Sequence, residues 1–177
     1  MKHLINRRLS LRYHLMVLGM AAFLLGSCQH AGKETGWDAK KQMYFAKTDD
    51  PEMAEAIRQS RETVNQFLTA LASGDTTAYN FGVKAAFPIP DGTNEHIWLT
   101  DIRANGDSII GVIDNQPDVI TAVKFGQQVA IHKDSITDWN YTKNGKLIGG
   151  YSIRLMRRRM SKEEQAEFDK QMSFTIE

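Results

Sequence analysis

The chain has 177 residues, 42% of them hydrophobic and 24% charged, an average globular balance that excludes a disordered chain and a multi-span membrane protein. The formal net charge of +1 is unevenly spread: Lys2, Arg7, Arg8 and Arg12 precede Cys28 without a single acid, leaving 18 basic against 21 acidic residues from Cys28 onward, a net of −3. That mildly acidic remainder argues against a nucleic-acid partner, because neutralising phosphate takes a clearly basic surface.

The first 27 residues read as a secretory signal. Met1 to His14 carry the positive charge, and Leu15 to Gly26 form an uncharged, mostly apolar run that is too short to span ~30 Å of hydrocarbon. Leu25-Gly26-Ser27-Cys28 resembles the bacterial lipobox, with small residues just before the cysteine to be modified. The expectation is therefore a precursor cut before Cys28 and held at a membrane by lipid on that thiol. As the sole cysteine of the chain, Cys28 cannot form an internal disulfide, and lipidation gives it a purpose. Several acyl chains hold where one detaches, since each buried methylene contributes ~0.8 kcal/mol. Gln29, rather than Asp, follows the cysteine, as in lipoproteins sent on to the outer membrane. The expected location is the cell envelope, on the periplasmic side of the outer membrane where a cell has two. The alternatives are an unmodified signal peptide with a leftover thiol and a buried first helix. Arg7-Arg8 also resembles a twin-arginine signal, from which Asn6 and Ser10 depart.

Residues 28–42 are polar and glycine-containing, as in a flexible tether; Trp37 is the exception, suited to docking on the domain or at a bilayer surface. A single domain is expected over 43–177. Asp50-Pro51-Glu52 is a helix start, and Met53, Ile57, Val64, Phe67, Leu68 and Leu71 recur at helical spacing behind it, predicting an amphipathic helix over 50–72 that stops at Ser73-Gly74-Asp75. Strand character follows at 80–87, 95–102, 108–114, 127–132 and 136–141. Turn signals at 88–92, 105–107, 115–118 and 144–145 separate these runs, and Asn105-Gly106 is the strongest hairpin signal. Links this short favour antiparallel pairing. Tyr151 to Met160 fits a strand or a short basic helix, with the helix favoured, and Ser161 to Glu164 offers a capping box for a C-terminal helix. The predicted fold is α+β: a curved antiparallel sheet of four to six strands flanked by an N-terminal amphipathic helix and a C-terminal helix.

Alternation in 95–102 turns Ile97 and Leu99 inward and His96, Trp98 and Thr100 outward. His96 and Trp98 side by side would make a recognition surface; the alternative is a Trp98 covered by a helix or loop. Asp134, Asp138, Trp139 and Tyr141 form a second cluster, which joins Asp101 and His96 on paper in an acid–base or metal site. No HExxH, GxSxG or phosphate loop accompanies them, so neither a metal nor a cofactor is expected, and Asp138 is read as a turn or backbone-bonding residue. Arg154, Arg157, Arg158 and Arg159 are the one basic cluster of the mature chain, a solvated helix face or a contact for anionic lipid or an acidic partner. The functional expectation is a non-enzymatic lipoprotein that binds an envelope protein or glycan through His96, Trp98, Asp101, Asp138, Trp139 and Tyr141. The alternatives are a small periplasmic hydrolase using His96 with Asp101 or Asp138, and an immunity or inhibitor lipoprotein.

TDDPEM at 48–53, FLTAL at 67–71, VKAAFP at 83–88, EHIWLTDI at 95–102, DSITDWNY at 134–141, GKLIGG at 145–150 and SKEEQAEF at 161–168 together resemble the YegJ-like family of domains of unknown function, over about 43–174. Asn140 stands where that family often has methionine, and Ser152 where it often has threonine. The resemblance implies a compact α+β domain and brings no catalytic residues.

Overall fold

The computed structural model describes residues 50–177 and the backbone of two short strands, β1 (Gly36–Asp38) and β2 (Met43–Phe45). These pair antiparallel, Trp37 opposite Tyr44, in and beside the stretch expected to be a tether. The signal segment 1–27, Cys28 and the remainder of the tether lie outside the described residues.

Helix α1 (Pro51–Ala72) begins as its capping residues dictate: the Asp50 carboxylate accepts the Glu52 and Met53 amides at 3.1 and 3.3 Å. Beyond Ser73, Gly74 adopts φ +68 and turns the chain. Strands β3 (Ala78–Pro88), β4 (Asn94–Asn105), β5 (Ser108–Ile113), β6 (Gln128–His132), β7 (Ile136–Lys143) and β8 (Lys146–Gly149) follow, then helices α2 (Tyr151–Arg159) and α3 (Lys162–Gln171). The six strands β3 to β8 make one antiparallel sheet in the order β6-β5-β4-β3-β7-β8. The architecture is thus the expected α+β, with the favoured helix at 151–159 and the Ser161–Glu164 capping box both formed. Two details differ. Lys146–Gly149 is a sixth strand, paired with β7 through a tight Asn144-Gly145 turn in which both residues have positive φ. In the β4–β5 hairpin Asn105 pairs with Ser108, so Gly106-Asp107 is the turn and only Gly106 has positive φ.

The core lies between α1 and one face of the sheet. Val83, Ala85, Ile97, Leu99, Ile109, Ile113 and Ile136 turn inward to meet Phe67. Trp139 closes against the helix, donating its indole N–H to the Ser60 carbonyl at 2.9 Å. Two bulges set which side chains reach this face. In β4 the register slips between Thr100 and Arg103 opposite β5, and Asp101 takes φ +51, which returns Ile102 to the core. Gly111 makes room for it, since a Cβ there would lie 2.8 Å from Ile102 Cδ1. In β7 Lys84 pairs with Asp138 while Ala85 pairs with Ile136, leaving Thr137 as the extra residue. Where β8 ends, α2 takes over the flank of β7: Gly150 donates to the Trp139 carbonyl at 2.8 Å.

Candidate binding surface on the open sheet face

Among the described residues the other face of β3 to β6 carries no helix beyond the first turn of α2, whose Ser152 meets Lys84. His96, Gln128 and Ala130 are exposed there, and Lys84, Trp98, Thr100, Ile110 and Val112 half-buried. A concavity of about 940 Å³ runs past Trp98, Thr100, Asp101, Arg103, Gln128 and Asn140 and reaches round to Leu71 and Phe81 of the covered side. Trp98 is fixed from behind, its N–H donated to Asn115 Oδ1 at 2.7 Å and its carbonyl accepting from Asp114 at 2.9 Å. The Lys84 ammonium sits over its indole, 5.0 Å from the centroid. The connection over 114–127 is clamped in turn by Glu95, whose carboxylate accepts the amides of Asp118, Val119 and Ile120 at 2.6, 3.1 and 2.8 Å.

At one end of this face a polar chain enters the protein. His96 Nδ1 lies 2.9 Å from the Thr137 hydroxyl, and that hydroxyl lies 3.3 Å from the Lys84 carbonyl. Desolvation of the bonded side of the ring, then the nearby Lys84 and Arg61 cations, lower the His96 pKa below the usual imidazole value. Lys84 Nζ donates to Ser152 Oγ at 3.2 Å, and Ser152 donates to Asp138 Oδ2 at 2.6 Å. Asp138 also accepts the amides of Trp139, Tyr151 and Ser152 at 2.8, 3.1 and 2.8 Å. Burial pushes the Asp138 carboxyl up, with the Lys84 charge and these donors opposing; burial lowers Lys84, with Asp138 opposing. The arrangement is a clasp: one carboxylate caps the first turn of α2 and joins it to β3 and β7. The Ser152 hydroxyl, 3% exposed and already donating to Asp138, is not poised as a nucleophile.

The six residues singled out from sequence therefore separate. His96 and Trp98 stand on the open face, where alternation placed them. Asp101 is also exposed, but roughly 15 Å along the strand from His96 at ~3.3 Å per residue. It neighbours Asp114, whose carboxyl is pushed up by burial and then by the Asp101 charge. Asp138, Trp139 and Tyr141 are interior, at 0%, 1% and 8% exposure, and do not share a surface with His96. The reason is that both sides of β7 are covered, one by α1 and the other, at Asp138, by the start of α2. His96, Asp101 and Asp138 thus form no common acid–base site. Asp138 does bond backbone amides, as read. The arginines are largely engaged within the protein: Arg154 with the Leu147, Gly149 and Glu177 carbonyls, Arg157 with Asp169, and Arg159 with Asp50 and Glu52. Lys84, Asn115, Thr137 and Ser152 were not read as site residues from the sequence. Only Lys84 left a signal, a lone cation between the inward-facing Val83 and Ala85.

Among the described residues no three His, Cys, Asp or Glu side chains converge as metal ligands, and no helix is long and apolar enough to cross a membrane. Comparison with known proteins brings no chemistry to the face. The chain is 40% identical over 120 residues to the uncharacterized protein YegJ of Escherichia coli (strain K12), covering 67% of this chain and 76% of that one. It is 33% identical over 135 residues to a putative ankyrin repeat protein of Neisseria meningitidis serogroup B, covering 72% of this chain and 53% of that protein. No solved structure matches. Residues 50–176, which hold α1, the six-stranded sheet and both later helices, match the family described as uncharacterized proteins conserved in bacteria (DUF2314), and the chain belongs to that family.

Proposed function

We propose that the protein is a non-enzymatic binding module of the bacterial cell envelope, tethered through lipid on Cys28, whose uncovered sheet face engages an envelope protein or glycan. The observation that carries this reading is the open face itself. A half-buried indole beside an exposed imidazole, at the edge of a polar concavity, matches what interfaces use as anchors. The lipobox-like junction before Cys28 and the glutamine after it support an envelope location, and the outer membrane where there are two.

Cross-linking in intact cells, followed by mass spectrometry, tests this reading. A discrete partner captured by the native protein and lost from a folded His96→Ala/Trp98→Ala variant supports it. Capture of one hydrolase or toxin in a tight complex would instead identify an inhibitor. Capture that is the same in the variant removes the open face from the account. Metabolic labelling with an alkyne fatty acid, absent from Cys28→Ala, tests the tether separately.

A further inference from the structure

We infer that a second groove, between the C-terminal half of α1 and β7, is a binding site for a neutral polyhydroxylated ligand, that is, a saccharide. It lies against the helix-covered face and does not rest on the open-face reading. The groove encloses about 570 Å³ and is floored by Tyr141. The Tyr141 ring is fixed on both sides, stacked on Phe81 at 5.0 Å and on Trp139 at 6.2 Å. Only 8% of the residue is exposed. Its hydroxyl finds no hydrogen-bond partner among the described residues, and Tyr141 lines the groove. A phenol offers one donor and two acceptor positions, and an aromatic ring held this firmly presents them without an ordering cost on binding.

The walls supply complementary chemistry. Asn65 and Gln66 of α1 are exposed, and their primary amides have no partner among the described residues, so each presents donors and an acceptor to the groove. Lys143 and Asp75 also line the groove and form an ion pair at 3.1 Å, with Asp75 Oδ1 already accepting the Thr77 amide and hydroxyl at 2.9 and 2.7 Å. The pair is electrically neutral, so the groove has no net charge with which to select an ion. It places a cationic donor next to an anionic acceptor, and adjacent hydroxyls on a sugar ring each donate and accept in that way. Thr69 is already engaged, donating to the Asn65 carbonyl at 2.8 Å. It leaves the two amides, the phenol and the ion pair as the groups that read a ligand.

The probes are maltotriose and tri-N-acetylchitotriose, titrated into the full-length protein while the side-chain amide NMR signals of Asn65 and Gln66 are followed. Saturable shifts are expected with at least one probe, weakened about tenfold by Tyr141→Phe, which deletes one hydrogen-bonding group and keeps the stacked ring. The melting temperature of Tyr141→Phe should be unchanged or raised, because the lost hydroxyl bonds nothing among the described residues. A melting temperature lowered by several degrees shows an internal partner and overturns the inference. So does the absence of shifts with both probes, or equal binding by Tyr141→Phe. Trp98→Ala separates the two sites. If it abolishes the shifts and Tyr141→Phe does not, the sugar sits on the open face and the groove assignment falls while the open-face reading stands.

Discussion

Against α1 the sheet presents a continuous aromatic and aliphatic layer: Phe67, Phe81, Trp139 and Tyr141 lie 5.0 to 6.2 Å apart ring to ring, with branched aliphatic side chains filling the intervals. On the opposite face, cations, amides, a threonine and one indole stand half in water, and Trp98 touches a lysine rather than another apolar ring. The first layer is what folding requires, because burial of apolar surface drives it. The second costs the domain little to change, and the one indole there is what the proposed binding role rests on. Both faces carry tryptophan, so residue type does not tell them apart; the covering element does.

Breaking the covered layer should have the largest effect. Trp139→Ala empties the space under Ser60 and Phe67 and is expected to destabilise by about 3–5 kcal/mol in denaturant unfolding. Next comes the clasp between the faces. Asp138→Ala strands Lys84 and three amides, at a cost of about 3 kcal/mol, and a Lys84→Met/Asp138→Ala double variant should recover part of it by removing the orphaned charge. A double variant no more stable than Asp138→Ala would show that Lys84 and Asp138 are not coupled. A smaller loss, about 1 kcal/mol, is expected for Asp50→Ala, which removes the α1 cap and the Arg159 contact. Arg159 and the capped amides hold the Asp50 carboxyl down at about 2. Its contribution is complete above its unfolded value and fades as pH falls from there towards 2, so the wild type and Asp50→Ala should converge in acid-induced unfolding. The smallest effect belongs to the open face: His96→Gln should change stability at pH 7 by less than ~0.5 kcal/mol. Because the folded His96 pKa lies below its unfolded value, the wild type binds fewer protons when folded and loses stability as pH drops through the mildly acid range. His96→Gln should lose less, and equal losses would place His96 in an ordinary solvated setting.

The same contrast explains what the sequence disclosed. The bounds of α1 and the capping box of α3 were legible because caps are local chemistry, read from Asp50-Pro51 and Ser161-Glu164. His96 and Trp98 were placed correctly because β4 alternates without interruption up to Thr100. Asp138, Trp139 and Tyr141 were misplaced as surface because their strand was read without a neighbour beyond it. The Asn144-Gly145 turn was visible, but the four residues after it, Lys146 to Gly149, are too short and too weakly patterned to announce β8. Bulges leave no simple signature either. Thr137 becomes the extra residue of β7 through pairing with β3, and that shift brings its hydroxyl to His96. The Lys84–Ser152–Asp138 clasp joins residues 68 and 14 positions apart in the chain, and no spacing rule connects them.

Hydroxyl-radical footprinting, run on the purified protein and again in intact cells, tests the division between the two faces most directly. The account predicts that Trp139 is spared in both settings, whereas Trp98 and His96 are oxidised in the purified protein and protected in cells. Equal oxidation of Trp98 and His96 in both settings would contradict an occupied open face, and oxidation of Trp139 in the purified protein would contradict the covered one.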